Sequence, residues 1–448
     1  MSLEGKSLKG DFIKFIIPSV LAQWIYTLYT MVDGMFVANG VSEIALTAVN
    51  LSFPFIASLF ALSLMFAVGT STIVAIFLGK KQVSQASEVF TQNIVLQVII
   101  SIILVAIAMP NLRELSLFLG AKEGVTLDYV VEYLTWIVPF SLAYLLSYSF
   151  EIILKTDGFP KKATLIVIIG ALENCVLDWL FVMVFKKGVA GAAFATSISQ
   201  ISIIVLYVHH FLSGRGVLYF KKFRLSLRTI AREIRNGFSS GLTELSSGLV
   251  TFVFNQVILA FLNQEALVSY TIVSYVNSIV VLSATGIAQG SQPLISYYYG
   301  KGNMKNCRKL LKYCLVTAGV FCGLAFLLSY LAAGAIVSIY VGPELMELRQ
   351  YSVNAFRTFI VSFLLVGFNI AISGYFTSVE CAVSALVISA GRGCVLLIAC
   401  LTAMAELFGG PGIWWSPTVS EGVCLLVTVG LFGRYVRGNR EWRATGRT

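Results

Sequence analysis

Residues 68–81 read VGTSTIVAIFLGKK, and residues 289–302 read QGSQPLISYYYGKG. Each is an apolar run with a glycine near its start and a Gly-Lys pair near its end. The pairs Gly69/Gly290 and Gly79/Gly300 lie 221 residues apart. The same offset brings Ala45-Leu46 onto Ala266-Leu267, Gly170 onto Gly391 and Gly191 onto Gly412, with a slip of one residue near Gly120 and Gly342. Internal symmetry of this kind marks a chain built as two copies of one unit.

Outward from these runs the pattern continues. A helix that spans a bilayer needs about 20 mostly apolar residues. The spacing predicts twelve, over 12–37, 45–77, 90–110, 128–152, 163–185, 189–211, 236–262, 266–298, 312–334, 350–377, 381–405 and 411–434. The runs are continuously apolar, unlike the alternating strands of about ten residues found in membrane barrels. Each half holds an even number of spans, so both copies enter the membrane in the same direction, related by a pseudo-two-fold axis along its normal. The expected fold is all-α and integral to the membrane: twelve helices as two parallel six-helix repeats. The expected organisation is an N-terminal half over 1–212, a basic cytoplasmic linker over 213–235 and a C-terminal half over 236–448.

Composition agrees. The chain is 57% hydrophobic and only 12% charged, about half the charge of an average soluble protein. The lipid bilayer is therefore its first partner. The net charge of +10 would suggest nucleic acid in a soluble protein. Here Lys and Arg flank alternate span ends instead. Of 32 basic residues, 25 fall on one side if there are twelve spans: near Lys9, Lys80, Lys161, in the linker, near Lys305, and after Arg434. The positive-inside rule makes that side cytoplasmic. Both termini are expected there, in a multi-pass protein of the plasma membrane, as a monomer and without nucleic acid. The eight cysteines show no CxxC pair and read as small buried hydrophobes. GFSSG at 237–241 matches a hydrolase pattern, but it opens a membrane helix rather than a strand-turn-helix, and His209 and His210 sit at the far end of span six. No enzyme is expected.

An ionisable side chain inside a span is costly and needs a partner or a task. Candidates are Asp33, Glu173, Asp178, Glu244, Arg357, Arg392 and Glu421. At 1.5 Å per residue, Asp33, Asp178 and Thr196 share a depth of roughly 10–12 Å below the outer surface, with Asn174 one turn deeper on the Asp178 face. Two carboxylates, an amide oxygen and a hydroxyl at one level suit a small cation or a shared proton. Equally, Asp33 caps span one beside Gly34, and Asn174 and Thr196 join helices by hydrogen bonds. The second half lacks the set: Asp33, Asn174 and Thr196 map to Phe254, Val395 and Pro417. Glu244 reads either as a second carboxylate of a central cleft or as a partner of Arg357.

Five stretches carry a resemblance: 31–54 (MVDGMFVANGVSEIALTAVNLSFP), 68–81, 177–200 (LDWLFVMVFKKGVAGAAFATSISQ), 286–303 (GIAQGSQPLISYYYGKGN) and 410–421 (GPGIWWSPTVSE). In this order, over nearly the whole chain, they resemble the multidrug and toxic compound extrusion (MATE) transporters of bacterial type. The resemblance implies alternating-access antiport: a small amphiphilic, often cationic, organic molecule leaves as Na⁺ or H⁺ enters. It implies no cofactor. It places the coupling cation, Na⁺ or a proton, at Asp33, Asn174, Asp178 and Thr196, with the carbonyl of Ala192 beside Thr196. It makes Pro18 the hinge of span one and Glu244 a second-half carboxylate, although span ten lacks the acid that accompanies such a Glu in some branches. The family's R-x-x-G after span four is altered here to Lys155-Thr156-Asp157-Gly158. A substrate cavity is expected between the halves, with Gln23, Tyr26, Gln256, Tyr275 and Gln289 as contacts. The rival transporter is a flippase of lipid-linked precursors, and the rival from another class is a non-transporting scaffold.

Overall fold

In the first half Ser42 ends the turn after span one, and its side chain accepts a hydrogen bond from the Ala45 amide at 3.1 Å. In the second half Asn263 does the same for Ala266 at 2.9 Å. Each fills a free donor at a helix start, which is what small oxygen-bearing residues do at that position. The computed structural model describes residues 7–439 and Trp442. Lys6, Arg440, Arg443 and Arg447, which the sequence reading counted among the cytoplasmic basic residues, lie outside the described residues.

The helices long and apolar enough to cross a membrane are α1 (Leu8–Gly40), α2 (Glu43–Gly79), α3 (Val83–Phe118), α4 (Val125–Thr156), α5 (Pro160–Val184), α6 (Gly188–Leu212), α7 (Leu227–Phe261), α8 (Gln264–Gly300), α9 (Met304–Leu331), α10 (Met346–Ser378) and the long element Ala382–Gly438. That last element is two spans without a loop. Gly409 lies at φ 61°, ψ −139°, outside the helical region, a conformation open to glycine, and Pro411 follows. We number the two parts α11 (382–408) and α12 (410–438), which gives the twelve expected spans. A short helix, Ala333–Tyr340, precedes α10. Similar interruptions recur in both halves: α4 tightens over Val138–Phe140, where Pro139 removes a backbone donor, and α10 tightens over Ile360–Ser362 without a proline.

The chain forms two units, Met1–Glu244 and Leu245–Thr448, divided within α7. In the first, one core cluster gathers Val37, Leu59, Tyr133, Tyr144 and Val182, and another gathers Ile73, Phe90, Phe150, Tyr207 and Phe211. In the second, Phe254, Tyr270, Phe356, Phe363 and Trp414 form the centre of a large cluster. Many large apolar side chains remain exposed, among them Ile102, Leu172, Leu328 and Leu426. Such a surface belongs against lipid.

The basic segment is shorter than its sequence suggests, and it is tied down. Helix α7 begins at Leu227, not near 236. Residues 213–226 run as a strap over the first unit. Asp157 accepts the Val217 and Leu218 amides at 2.8 and 2.9 Å and also meets His210 Nε2 at 3.1 Å. Farther along, Thr91 Oγ1 accepts the Lys221 amide at 3.0 Å, Lys221 pairs with Glu88 at 2.6 Å, and Gln92 exchanges hydrogen bonds with Ser226. Phe220 plugs the strap into the core against Phe90 and Phe211, with ring centroids 5.1 and 6.4 Å away. The second unit has a matching plug. Trp442 packs against Tyr375 and Phe432, each 5.7 Å away, with the Arg308 guanidinium over its ring. Asp157→Ala therefore releases the strap. Limited trypsin digestion then cuts at Arg215, Lys221, Lys222 or Arg224 several-fold faster than in the parent protein; equal rates would show that Asp157 does not hold it.

Candidate functional site

Asp33 stands near the C-terminal end of α1. Asn174 and Asp178 stand one turn apart near the end of α5, and Thr196 stands on α6. Asp178 is fully buried, Asn174 is 1% exposed, Thr196 9%, and Asp33 is half-buried. Immediately after Asp178 the α5 backbone widens into a π-helical turn, Trp179–Val184, a distortion common at functional sites.

The side chains converge. Asn174 Nδ2 donates to Thr196 Oγ1 at 3.3 Å, and Thr196 Oγ1 donates to the Ala192 carbonyl at 3.1 Å. The Asn174 amide is thereby oriented with its oxygen free. The carboxyls of Asp33 and Asp178 face each other directly. Four buried oxygens here accept no hydrogen bond: Asp33 Oδ1, Asn174 Oδ1 and both carboxyl oxygens of Asp178. Buried acceptors are almost always satisfied, so four acceptors without a donor in one cluster set this place apart. Among the described residues no three His, Cys, Asp or Glu side chains converge as a transition-metal site would require. A cavity of about 10 Å³ adjoins Asn174, lined also by Tyr26, Tyr29, Ser199 and Gln200, and holds roughly one water.

The other ionisable candidates fall into place differently. Glu173 accepts from Ser202 at 2.8 Å. Arg392 pairs with Glu421 at 2.9 Å, and Asn369 donates to the same carboxylate at 2.7 Å while accepting from Thr428 at 3.1 Å. That network balances its own charge. Arg357 lays its guanidinium over the Tyr330 ring, 4.8 Å from the centroid. Pro18 lies inside α1, and its carbonyl accepts from Thr164 of α5 at 2.8 Å.

Of the expected cavity residues, Gln23 is buried and donates to the Tyr148 hydroxyl at 3.3 Å, and Tyr26 donates to Glu151 at 3.0 Å. Gln256 is exposed and Gln289 half-buried. Tyr275 is exposed and stacks on Tyr340, with centroids 6.0 Å apart. The carboxylate that holds Tyr26 is one the sequence reading missed. Glu151 is 2% exposed, and its other oxygen pairs with Lys155 at 2.6 Å, itself 3% exposed. The signal was present as an i, i+4 Glu-Lys pair, but Lys155 read as a cytoplasmic flank of span four. Glu233, fully buried on α7, was hidden in the same way among the arginines of the basic segment.

The model of the MatE family matches residues 18–180 and 240–401, one match in each half of the sequence. Among curated proteins, the chain is 23% identical over 420 residues to the multidrug export protein MepA of Staphylococcus aureus, covering 93% of this chain and 91% of that protein. To MepA of Staphylococcus saprophyticus it is 22% identical over 431 residues, covering 95% and 94%. Among solved structures, an outward-facing multidrug resistance MATE transporter of the MOP superfamily superposes with a TM-score of 0.89 at 22% identity, over 98% of this chain and 96% of that one. A MOP superfamily transporter from Pyrococcus furiosus superposes with a TM-score of 0.88 at 22% identity, over 98% and 96%. At this identity the structural likeness speaks for the fold.

Proposed function

The chain belongs to the MatE family, the multidrug and toxic compound extrusion transporters, and from that premise we propose that it is a cation-coupled antiporter that exports small amphiphilic, cationic organic molecules. It is a multi-pass membrane transporter, not an enzyme. We assign the coupling cation, Na⁺ or H⁺, to Asp33, Asn174, Asp178 and Thr196. The observation that carries this reading is the set of four buried oxygens without a donor.

Two facing carboxylates in an apolar setting cannot both stay ionised without a counter-charge. Na⁺ supplies that charge, and a proton relieves the same repulsion, so the two ions compete for the pair. Asn174 Oδ1 and the remaining lone pair of Thr196 Oγ1 complete a hard-oxygen set. The Ala192 carbonyl already accepts from Thr196, so its main contribution is to orient that hydroxyl. Cation entry draws α1 toward α5 and α6. Pro18, which breaks the α1 hydrogen-bond ladder, lets α1 bend while its carbonyl stays bonded to Thr164. Each unit offers its own contacts to the transported molecule: Gln23 and Tyr26 in the first, and Gln256, Tyr275 and Gln289 in the second. Glu244 is kept as a further carboxylate for a cationic substrate.

The charge pattern weighs against a pyrophosphate-carrying lipid as cargo. Lys155 is neutralised by Glu151 and Arg392 by Glu421, which leaves Arg357 as the intramembrane cation over an aromatic ring. A scaffold would gain nothing from unsatisfied buried carboxylates. Purified protein in proteoliposomes tests the reading. Ethidium efflux should accelerate at least several-fold when an inward Na⁺ gradient or an inward proton gradient is imposed. Flux that responds to neither ion would overturn it.

A further inference from the structure

The first unit includes the opening turns of α7, through Glu244, and these lie on α2. On this part of α7 Glu233, Gly237 and Gly241, spaced four residues apart, are buried, with Asn236 and Ser239 between them. The two glycines permit close contact. A Cβ on Gly237 would strike the Met65 carbonyl, one on Gly241 would press on that of Ala61, and one on Gly69 of α2 would strike the Glu233 carbonyl. Backbone therefore packs on backbone, and the one ionisable group in this stripe is Glu233.

Glu233 is fully buried, and neither of its carboxyl oxygens has a hydrogen-bond partner. The group facing it from α2 is the Thr70 hydroxyl, itself buried without a completed hydrogen bond. No charged side chain among the described residues stands opposite it. On its own helix Arg228 and Arg235 are exposed, and Arg232 lies over the Phe77 ring, 5.7 Å from the centroid. Moving an unpaired carboxylate out of water costs so much that such a group takes up a proton instead. The exposed Arg228 and Arg235, five residues before and two residues after Glu233, put water close at hand as soon as the contact loosens.

We propose that Glu233 is a second proton-binding site of this transporter, at the cytoplasmic end and independent of the Asp33–Asp178 pair. While α7 lies on α2 the side chain is a neutral acid. When the first turns of α7 lift from α2, the carboxylic O–H passes its proton to cytoplasmic water and leaves a hydrated carboxylate. That carboxylate cannot return to the contact until it is protonated again. The α2–α7 contact is therefore closed by protons and opened by their loss, and cytoplasmic pH sets how long it stays shut. This rests on the transporter reading only for its purpose; the switch itself can be seen without transport.

Hydrogen exchange of the full-length protein in nanodiscs, without substrate or ion gradient, is the test. Protection over 229–241 and 61–72, corrected for intrinsic rates, should fall at least tenfold between acidic and alkaline buffer. In Glu233→Gln, a neutral side chain of the same shape, it should stay high and flat. A flat wild-type profile, or a Glu233→Gln profile that falls like the wild type, overturns the proposal. Because the readout involves no flux, either result is distinguishable from a failure of the coupling site at Asp33 and Asp178.

Discussion

Asp33→Asn abolishes ion-coupled efflux and leaves a folded, normally expressed protein. Asp33 is half-buried near the C-terminal end of α1 and makes no ion pair among the described residues, so an isosteric amide costs the fold little. It removes one of the two charges that create the demand for a cation. A ligand shifts a conformational equilibrium only by the difference in its affinity for the two states. A coupling free energy of about 3 kcal/mol corresponds to roughly 100-fold, and the loss of cation-driven ethidium efflux should be of that order. Asp178→Asn should lose as much, and the double variant should be no worse than either single one, because groups that act as a unit are not additive. Full efflux by Asp33→Asn in proteoliposomes, with unchanged Na⁺ and pH dependence, would remove the coupling site from this pair and turn attention to Glu244.

The second large effect concerns stability. Lys155→Ala leaves Glu151 buried at 2% exposure with the Tyr26 hydroxyl as its remaining donor. Breaking one side of a buried ion pair costs about 3–5 kcal/mol, whereas replacing both sides with neutral groups is often harmless. The single variant should therefore unfold at much lower temperature in detergent and yield little protein. Glu151→Gln combined with Lys155→Met should recover most of that loss. If Lys155→Ala melts with the parent protein, the pair is not the buried counter-charge described above. Because Glu151 holds Tyr26 on α1, the double variant also separates this pair's structural role from any contact of Tyr26 with substrate: stability returns, while ethidium efflux reports on Tyr26 alone.

The fold was legible because lipid imposes two signals that survive in a single sequence: apolar length and sided charge. The repeated glycines added the duplication. Depth alone brought Asp33, Asp178 and Thr196 to one level, and the structure adds the Asn174–Thr196 bond that fixes which amide atom faces the acids. What stayed hidden was helical phase. A helix apolar on all sides carries little directional pattern, so nothing in the sequence said that Tyr26 turns to Glu151 while Tyr275 stacks on Tyr340. Lys155 and Glu233 were hidden for a different reason. Both sit where spans emerge among basic residues, and a charge there reads as solvated unless its partner, or the absence of one, is seen. The strap was missed because most of its hydrogen bonds join a side chain to a backbone group, and such bonds carry no sequence signature.

The aromatic plugs bear on how the chain arose. Phe211 and Phe432 occupy equivalent places in the two halves, and Phe220 packs on the first as Trp442 packs on the second. What looks like a connector invented to join two halves is thus the trailing segment of the unit itself, present once in each copy. A doubled single-unit gene would carry such a docked tail in each copy, and fusion would require only that the next copy begin beyond it. A self-sealed module of that kind could have assembled as a dimer of separate chains before the genes were joined. Fragments that divide the chain between Ser226 and Leu227 should, for the same reason, each carry their own plug.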